Sequence, residues 1–399
     1  MTAPSAAVPC SQGTHWPTLD GLRGVAVLLV LAFHFAHLDG DAGVVGRLLL
    51  GATGFGWSGV DLFFVLSGFL ITGVLLDAKG SQGYFRTFYA RRAVRIFPLY
   101  YAYLAAVFLV APRLAPSAID VKPASQGWLW SYLGNFLFAR ERGFEASPYA
   151  GHFWSLAVEE QFYLLWPFAV WLLSPRRLWA ATLALIGIAF AARFAIHRTT
   201  WNATAAYVLT PCRADGLAVG ALVAQAWRGG GRERFARLAP WALAAAAAAV
   251  LATWVVRGAF FGGDPVVQVW AFTPLAVGYG AVLVLSLSSG TGSALGRALS
   301  ARWLRGAGRY SYGLYVLHYP IFRGLEGAGL GPTTFATALG SGLAGILAFS
   351  AVAGAASFAA ALASWHLLEK RFLKFRDLLP YGRAAQPAGR VGVASPTPT

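Results

Sequence analysis

Cysteine is almost missing from this chain: Cys10 and Cys212 are the only two in 399 residues. Their wide separation excludes a disulfide framework and a zinc site of paired-cysteine spacing, so no metal is expected. Charge is scarce as well. Asp, Glu, Lys and Arg make up 12% of the chain, about half the roughly 25% of an ordinary soluble domain, which excludes disorder and an ordinary soluble enzyme. Acidic residues are scarcest, 16 against 32 Lys and Arg, for a net charge of +16. In a soluble protein that surplus would point to nucleic acid. In a chain this apolar it reads as basic cytoplasmic loops, and no nucleic-acid partner is expected. No Lys or Arg precedes Arg23, so the N-terminus lacks the basic region of a cleaved signal peptide.

Hydrophobic residues are abundant, at 57% with 15% aromatic, and they come in long runs such as 241–256 and 266–287. A bilayer span takes roughly 20 apolar residues. Spans are expected near residues 21–38, 57–76, 96–112, 153–173, 178–195, 205–227, 238–256, 266–288, 309–326 and 335–366. The fold class is therefore all-α, a polytopic membrane helix bundle of about ten transmembrane helices with the lipid bilayer as its partner. Residues 127–138 are apolar but too short to cross, and Trp128, Trp130 and Tyr132 suit an interfacial segment. Of the 32 Lys and Arg, 21 fall in the loops of one side, which places both termini in the cytoplasm. The expected organisation is a cytoplasmic N-terminal segment (1–18), a transmembrane unit (19–376) and a disordered cytoplasmic tail (377–399) rich in Pro, Ala, Gly and Ser.

An ionisable group at membrane depth is costly and asks for a reason. Arg23 and His34 lie eleven positions apart, three turns plus about 20°, so they share one helix face about 16 Å apart along the axis. Asp61 enters the second span, followed by Ser67 and Gly68, a small-residue patch where a backbone or a slender ligand approaches closely. Ser155, Glu159 and Tyr163 follow Trp154 at i, i+4, i+8 and form one stripe. Counted at 1.5 Å per residue, His34 and Glu159 come to nearly the same depth. His318 lies deep in the ninth span beside Tyr312, Tyr315 and Tyr319. The pair Arg213 and Asp215 reads as a local ion pair. On the cytoplasmic side, Arg92 and Arg95 face the same way on a helix, with Arg91 beside them and Pro98 suited to the first turn of the next span. Basic anchoring accounts for these arginines, and so does a clamp for phosphate groups.

Taken together, these sets resemble the acyltransferase family 3 of integral membrane enzymes. The resemblance runs from about Asp20 to Leu373. It is carried by Arg23 and His34, by Gly59-Val60-Asp61 with Ser67-Gly68-Phe69, by Arg92-Ala93-Val94-Arg95, by Trp154-Ser155-Leu156 with Glu159, by Arg213-Ala214-Asp215, and by Tyr315 with His318. It implies an O-acyltransferase of the bacterial cytoplasmic membrane whose co-substrate is acyl-CoA, commonly acetyl-CoA, with no permanently bound cofactor. The acceptor it implies is a sugar hydroxyl of an envelope or exported glycan, or a lipid-linked glycan. Many relatives carry a C-terminal esterase-like domain; only a short segment follows Leu373 here. Single-domain members acylate antibiotics such as macrolides, which is the alternative acceptor.

The resemblance implies that Arg23 and His34 are essential and that Arg92 and Arg95 serve the acyl donor. Read together with the residue patterns, the expected catalytic residues are His34, Arg23 and Glu159, and the expected acyl-CoA site is Arg91, Arg92, Arg95, Ser67 and Gly68. Asp61, Trp154, Ser155, Tyr315 and His318 would support these or bind the acceptor. His34 would act as general base on the acceptor hydroxyl or would itself take the acyl group, with Glu159 orienting the ring. The competing class is a proton-coupled transporter or flippase without acyl chemistry, since intramembrane His, Glu and Asp also make proton relays.

Overall fold

The computed structural model describes residues 16–38, 40–114, 123–258, 260–290 and 292–381. The expected segments 1–18 and 377–399 lie almost wholly outside the described residues, which are helical with no β-strand among them. All ten expected spans coincide with helices: α1 (Pro17–Phe35), α2 (Gly59–Ala78), α3 (Tyr84–Ala105), α4 (Trp154–Leu172), α5 (Pro175–Thr199), α6 (Thr210–Arg228), α7 (Arg232–Arg257), α8 (Phe272–Ser288), then α10 (Ser311–Gly327) and α11 (Gly342–Ser364). A short basic helix, α9 (Arg302–Arg309), precedes α10. Among the described residues, six helical stretches are long and apolar enough to cross a membrane by length and composition, those holding α1, α2, α3, α5, α7 and α11. Polar residues facing the bundle interior lower the hydropathy of α4, α6 and α10, each 17 to 19 residues long.

Three expectations are corrected. Helix α3 starts at Tyr84, well before residue 96, so Arg91, Arg92 and Arg95 belong to the same helix as the span, and Pro98 lies inside it. The last span is interrupted: Pro332–Leu339 ends at Gly340, whose φ of 64° is a left-handed helix stop, before α11 begins. The interfacial segment is two short helices, Pro123–Trp130 and Gly134–Glu141, with Tyr132 between them at φ 56°.

Two contacts between helix backbones position the site. A Cβ at Gly308 would overlap the Asp20 carbonyl, so α9 lies directly against the start of α1. A Cβ at Gly68 would overlap the Leu217 carbonyl, and one at Gly220 the Val65 carbonyl, so α2 and α6 cross at backbone contact.

Two buried ion pairs cross-link the same region. Arg213 donates to Asp61 at 2.8 Å, and its guanidinium lies 4.3 Å from the centre of the Phe272 ring and 5.4 Å from that of Trp154. Arg193 pairs with Asp215 at 2.9 Å and also bonds Thr273 and the Cys212 carbonyl. The expected local pair of Arg213 with Asp215 is thus replaced by two long-range ones. Each charge finds its partner on another helix, so the pairs fix how α2, α5, α6 and α8 sit together.

Candidate active site

Three cavities follow one another through the bundle. The first, of about 540 Å³, is lined by His34, His152, Trp57, Trp154, Tyr207 and Tyr315 among others. The second, of about 100 Å³, is a narrow neck between Arg23, Ser67, Arg92, Arg95, Ser155, Glu159 and Tyr315. The third, of about 490 Å³, is lined by Asp20, Arg23, Arg95, Arg302, Arg305, Arg309 and Trp365. Val60 and Tyr315 line both the first cavity and the neck, and Arg23 and Arg95 line both the neck and the third cavity. Cavities that share wall residues thus run from a histidine-bearing end to an arginine-rich end.

At the histidine end, His34 Nδ1 lies 2.9 Å from the Val30 carbonyl one turn back on α1 and 3.3 Å from His318 Nε2. His318 Nδ1 in turn faces the carbonyls of Tyr315 at 2.8 Å and Leu314 at 3.1 Å. Backbone carbonyls only accept, so His318 carries its proton on Nδ1 and its Nε2 is a lone pair. Both neighbours of His34 Nδ1 are then acceptors. That nitrogen holds the ring proton, and the lone pair of the neutral imidazole sits on Nε2. His34 lines the cavity, whereas His318 is fully buried behind it. His152 packs against the other side, its ring centre 5.4 Å from that of His318, and its Nε2 lies 3.2 Å from the Val316 carbonyl.

In the neck, Ser67 donates to Glu159 at 2.5 Å, and Ser155 and Tyr315 share a 2.5 Å hydrogen bond while Tyr315 also donates to the His152 carbonyl. The Arg92 guanidinium lies 5.1 Å from the centre of the Tyr163 ring. The Ser155, Glu159 and Tyr163 stripe therefore faces the interior as its spacing predicts. Glu159, however, is not the partner of the His34 ring. Its carboxylate belongs to the arginine side of the neck, and His318 supplies the partner instead. Equal expected depth left the azimuth of each helix undetermined: Glu159 lines the neck and His34 the histidine cavity.

Other expected site residues are placed as follows. Arg23, Arg92, Arg95, Ser67 and Ser155 line the neck, and Trp154 and Tyr315 line the histidine cavity. Gly68 is taken up by the α2–α6 crossing and Asp61 by Arg213, so neither faces the cavities. Arg91 turns away to the C-terminal segment, donating from Nε to the Leu379 carbonyl at 2.7 Å with its guanidinium 4.9 Å from the Tyr381 ring centre.

Sequence reasoning missed Arg302, Arg305 and Arg309. Their i, i+3, i+7 spacing places them on one face of α9, a signal present in the chain but absorbed into the count of basic loop residues. It also missed Trp57, which joins the cavity wall only through distant neighbours.

Residues 16–362 match the profile of the family described as the acyltransferase domain. The chain is 28% identical over 326 residues to the peptidoglycan O-acetyltransferase OatA of Listeria monocytogenes serovar 1/2a, covering 76% of this chain and 49% of that protein. It is 26% identical over 345 residues to the O-acetyltransferase OatA of Staphylococcus aureus strain NCTC 8325, covering 76% and 50%. The chain thus spans about half the length of these curated relatives. No solved structure matches it.

Proposed function

The chain belongs to the acyltransferase domain family, and from that premise we propose that it is a multi-pass O-acetyltransferase of a bacterial cytoplasmic membrane. In this reading ten helices span the bilayer with both termini and the arginine-rich cavity on the cytoplasmic side. The donor is acetyl-CoA, and the acceptor is a hydroxyl of a cell-envelope glycan, the class that the names of the relatives point to.

The parts divide by chemistry. Coenzyme A ends in an anionic nucleotide, which suits a cavity carrying Arg23, Arg95, Arg302, Arg305 and Arg309 against the single acid Asp20. Guanidinium forks match phosphate oxygens in pairs. In this reading the neck takes the slender pantetheine arm while the nucleotide stays among the arginines. Ser67, Glu159 and Arg92 offer it polar partners along the way. The thioester then emerges beside Val60 and Tyr315, facing His34.

His34 Nε2 takes the proton of the acceptor hydroxyl as its oxygen attacks the thioester carbonyl carbon. The carbon–sulfur bond breaks, and the departing thiolate of CoA recovers that proton from Nε2. His318 Nε2 and the Val30 carbonyl hold Nδ1–H throughout, so the ring stays in the tautomer that accepts at Nε2.

The observation that supports this reading most is the lone pair of His34 Nε2 at one end of a line of cavities whose other end holds five arginines. Incubating the purified full chain with labelled acetyl-CoA and envelope glycan fragments tests it. Acyl transfer yields free CoA thiol and a glycan heavier by one acetyl group, whereas a transporter leaves the thioester intact.

A further inference from the structure

We infer that Tyr315 is a further catalytic residue of this site: its hydroxyl donates to the thioester carbonyl oxygen as negative charge develops there, and Ser155 is the positioning residue that frees the Tyr315 proton to do so. The inference rests on the proposed acyl transfer and assigns a part of it that His34 does not perform.

A general base alone does not complete the reaction. When the acceptor oxygen bonds to the thioester carbon, the electron pair of the C=O bond moves onto the carbonyl oxygen. A negative charge stays there until that pair returns and the carbon–sulfur bond breaks. In apolar surroundings such a charge is costly unless a hydrogen-bond donor is aimed at it. The donor has to stand where the neck meets the histidine cavity. Among the described residues, Val60 and Tyr315 line both, and Val60 has no polar side chain. Tyr315 precedes His318 on α10 by three positions, about 4.5 Å along the axis. His318 is the residue that meets His34, so Tyr315 stands one turn from the level of the base, on the side of the neck.

The hydrogen bonds around Tyr315 show how its proton becomes available. The Tyr315 hydroxyl, Ser155 Oγ and the His152 carbonyl oxygen form a triangle: 2.5 Å between the hydroxyls, 2.9 Å from Tyr315 to the carbonyl and 3.3 Å from Ser155 to the same carbonyl. Ser155 itself lines the neck, so the pair stands in that wall. Two hydroxyl protons serve three contacts, and either hydroxyl can donate to the carbonyl. In one arrangement Tyr315 donates to His152 and Ser155 to Tyr315. In the other, Ser155 takes over the His152 carbonyl and Tyr315 turns its proton to the substrate oxygen, which leaves no buried acceptor bare. The bond is stronger to an oxyanion than to a neutral carbonyl, so it acts on the transition state rather than on donor binding. Tyr315 keeps its proton throughout; the proton of the acceptor hydroxyl travels by way of His34 Nε2 to the departing thiolate.

The test is steady-state kinetics of the purified full chain in lipid nanodiscs, with labelled acetyl-CoA and envelope glycan fragments. Tyr315→Phe keeps the ring and leaves Ser155 to bond the His152 carbonyl. Its kcat is expected to fall about 10²–10³-fold, the loss on removing one oxyanion donor, with KM for acetyl-CoA unchanged. Ser155→Ala commits the Tyr315 proton to His152 and is expected to lower kcat about tenfold. Ser155→Thr keeps the hydroxyl and is expected to restore it. The double variant Ser155→Ala with Tyr315→Phe is expected to be no slower than Tyr315→Phe, because Ser155 acts through Tyr315.

A wild-type kcat in Tyr315→Phe or in Ser155→Ala overturns the inference. Losses that multiply in the double variant also overturn it, since they mark two independent packing defects. A rise in the acetyl-CoA KM in place of the fall in kcat assigns Tyr315 to donor binding and overturns it as well. Should Tyr315→Phe fail to elute as a folded, monodisperse protein, the contrast between Ser155→Ala and Ser155→Thr decides alone. No CoA release by the wild-type chain overturns the acyl transfer itself.

Discussion

His318 Nε2 stands 3.3 Å from His34 Nδ1, joining residues 284 positions apart. That contact and the Val30 carbonyl decide which nitrogen of His34 is basic. His318→Phe keeps an aromatic ring at this position but loses the acceptor, so His34 retains only its bond to Val30. The expected outcome is a fall in kcat of about tenfold, the size of one hydrogen bond, with KM for acetyl-CoA unchanged. Steady-state kinetics with acetyl-CoA varied separates the two parameters.

The arginines expected to serve the donor divide into those that line the proposed donor path and one, Arg91, that does not. Arg305→Gln combined with Arg309→Gln, or Arg92→Ala with Arg95→Ala, is expected to raise KM for acetyl-CoA by about tenfold or more, because charge-assisted hydrogen bonds contribute roughly 1.5–3 kcal/mol each. Arg91→Ala is expected to leave that KM unaltered, since its guanidinium faces Leu379 and Tyr381. A donor KM that rises with Arg91→Ala and stays flat with Arg305→Gln/Arg309→Gln would reverse the assignment.

Ser67 and Gly68 are adjacent in sequence and separate in role. Gly68→Val forces α2 away from the Leu217 carbonyl and is expected to abolish a monodisperse, folded protein on size-exclusion chromatography. Ser67→Ala removes the donor to Glu159 and leaves the helix crossing intact. It is expected to fold normally and to lower turnover about tenfold.

Asp61 is expected to act on stability alone. Asp61→Ala leaves Arg213 buried without its counter-charge, a loss of about 3–5 kcal/mol. Replacing both partners with apolar residues of similar volume, as in Asp61→Leu with Arg213→Met, is expected to recover most of it. Thermal unfolding of the detergent-purified variants checks both, and a double variant no more stable than Asp61→Ala would contradict the pairing.

Much of this arrangement was legible along the chain and part of it was not. Each of the ten expected apolar segments coincides with a helix, because a segment that must satisfy its backbone in lipid has few alternatives to one. The common face of Arg23 and His34 and the stripe from Ser155 to Tyr163 followed from helical period alone, and both line the cavities. What failed were the rotations of helices about their axes. Glu159 and His34 were expected at one level but line different cavities, and His318, not Glu159, meets the ring. Arg213 and Asp215, two residues apart, project toward different helices and pair with Asp61 and Arg193. Gly68 was grouped with the ligand site because a small residue reads alike whether it admits a substrate or another backbone. The arginines of α9 carried a readable spacing, yet only the fold shows that they share a cavity with Arg23 and Arg95.

The most direct measurement compares the wild-type chain with His34→Ala in a single turnover with labelled acetyl-CoA and an accepted glycan, with donor binding measured on the same samples. The predicted result is donor affinity unchanged within about threefold and CoA release slowed by about 10²–10⁴-fold, the usual range for loss of a general base. CoA release by His34→Ala at the wild-type rate would contradict the account.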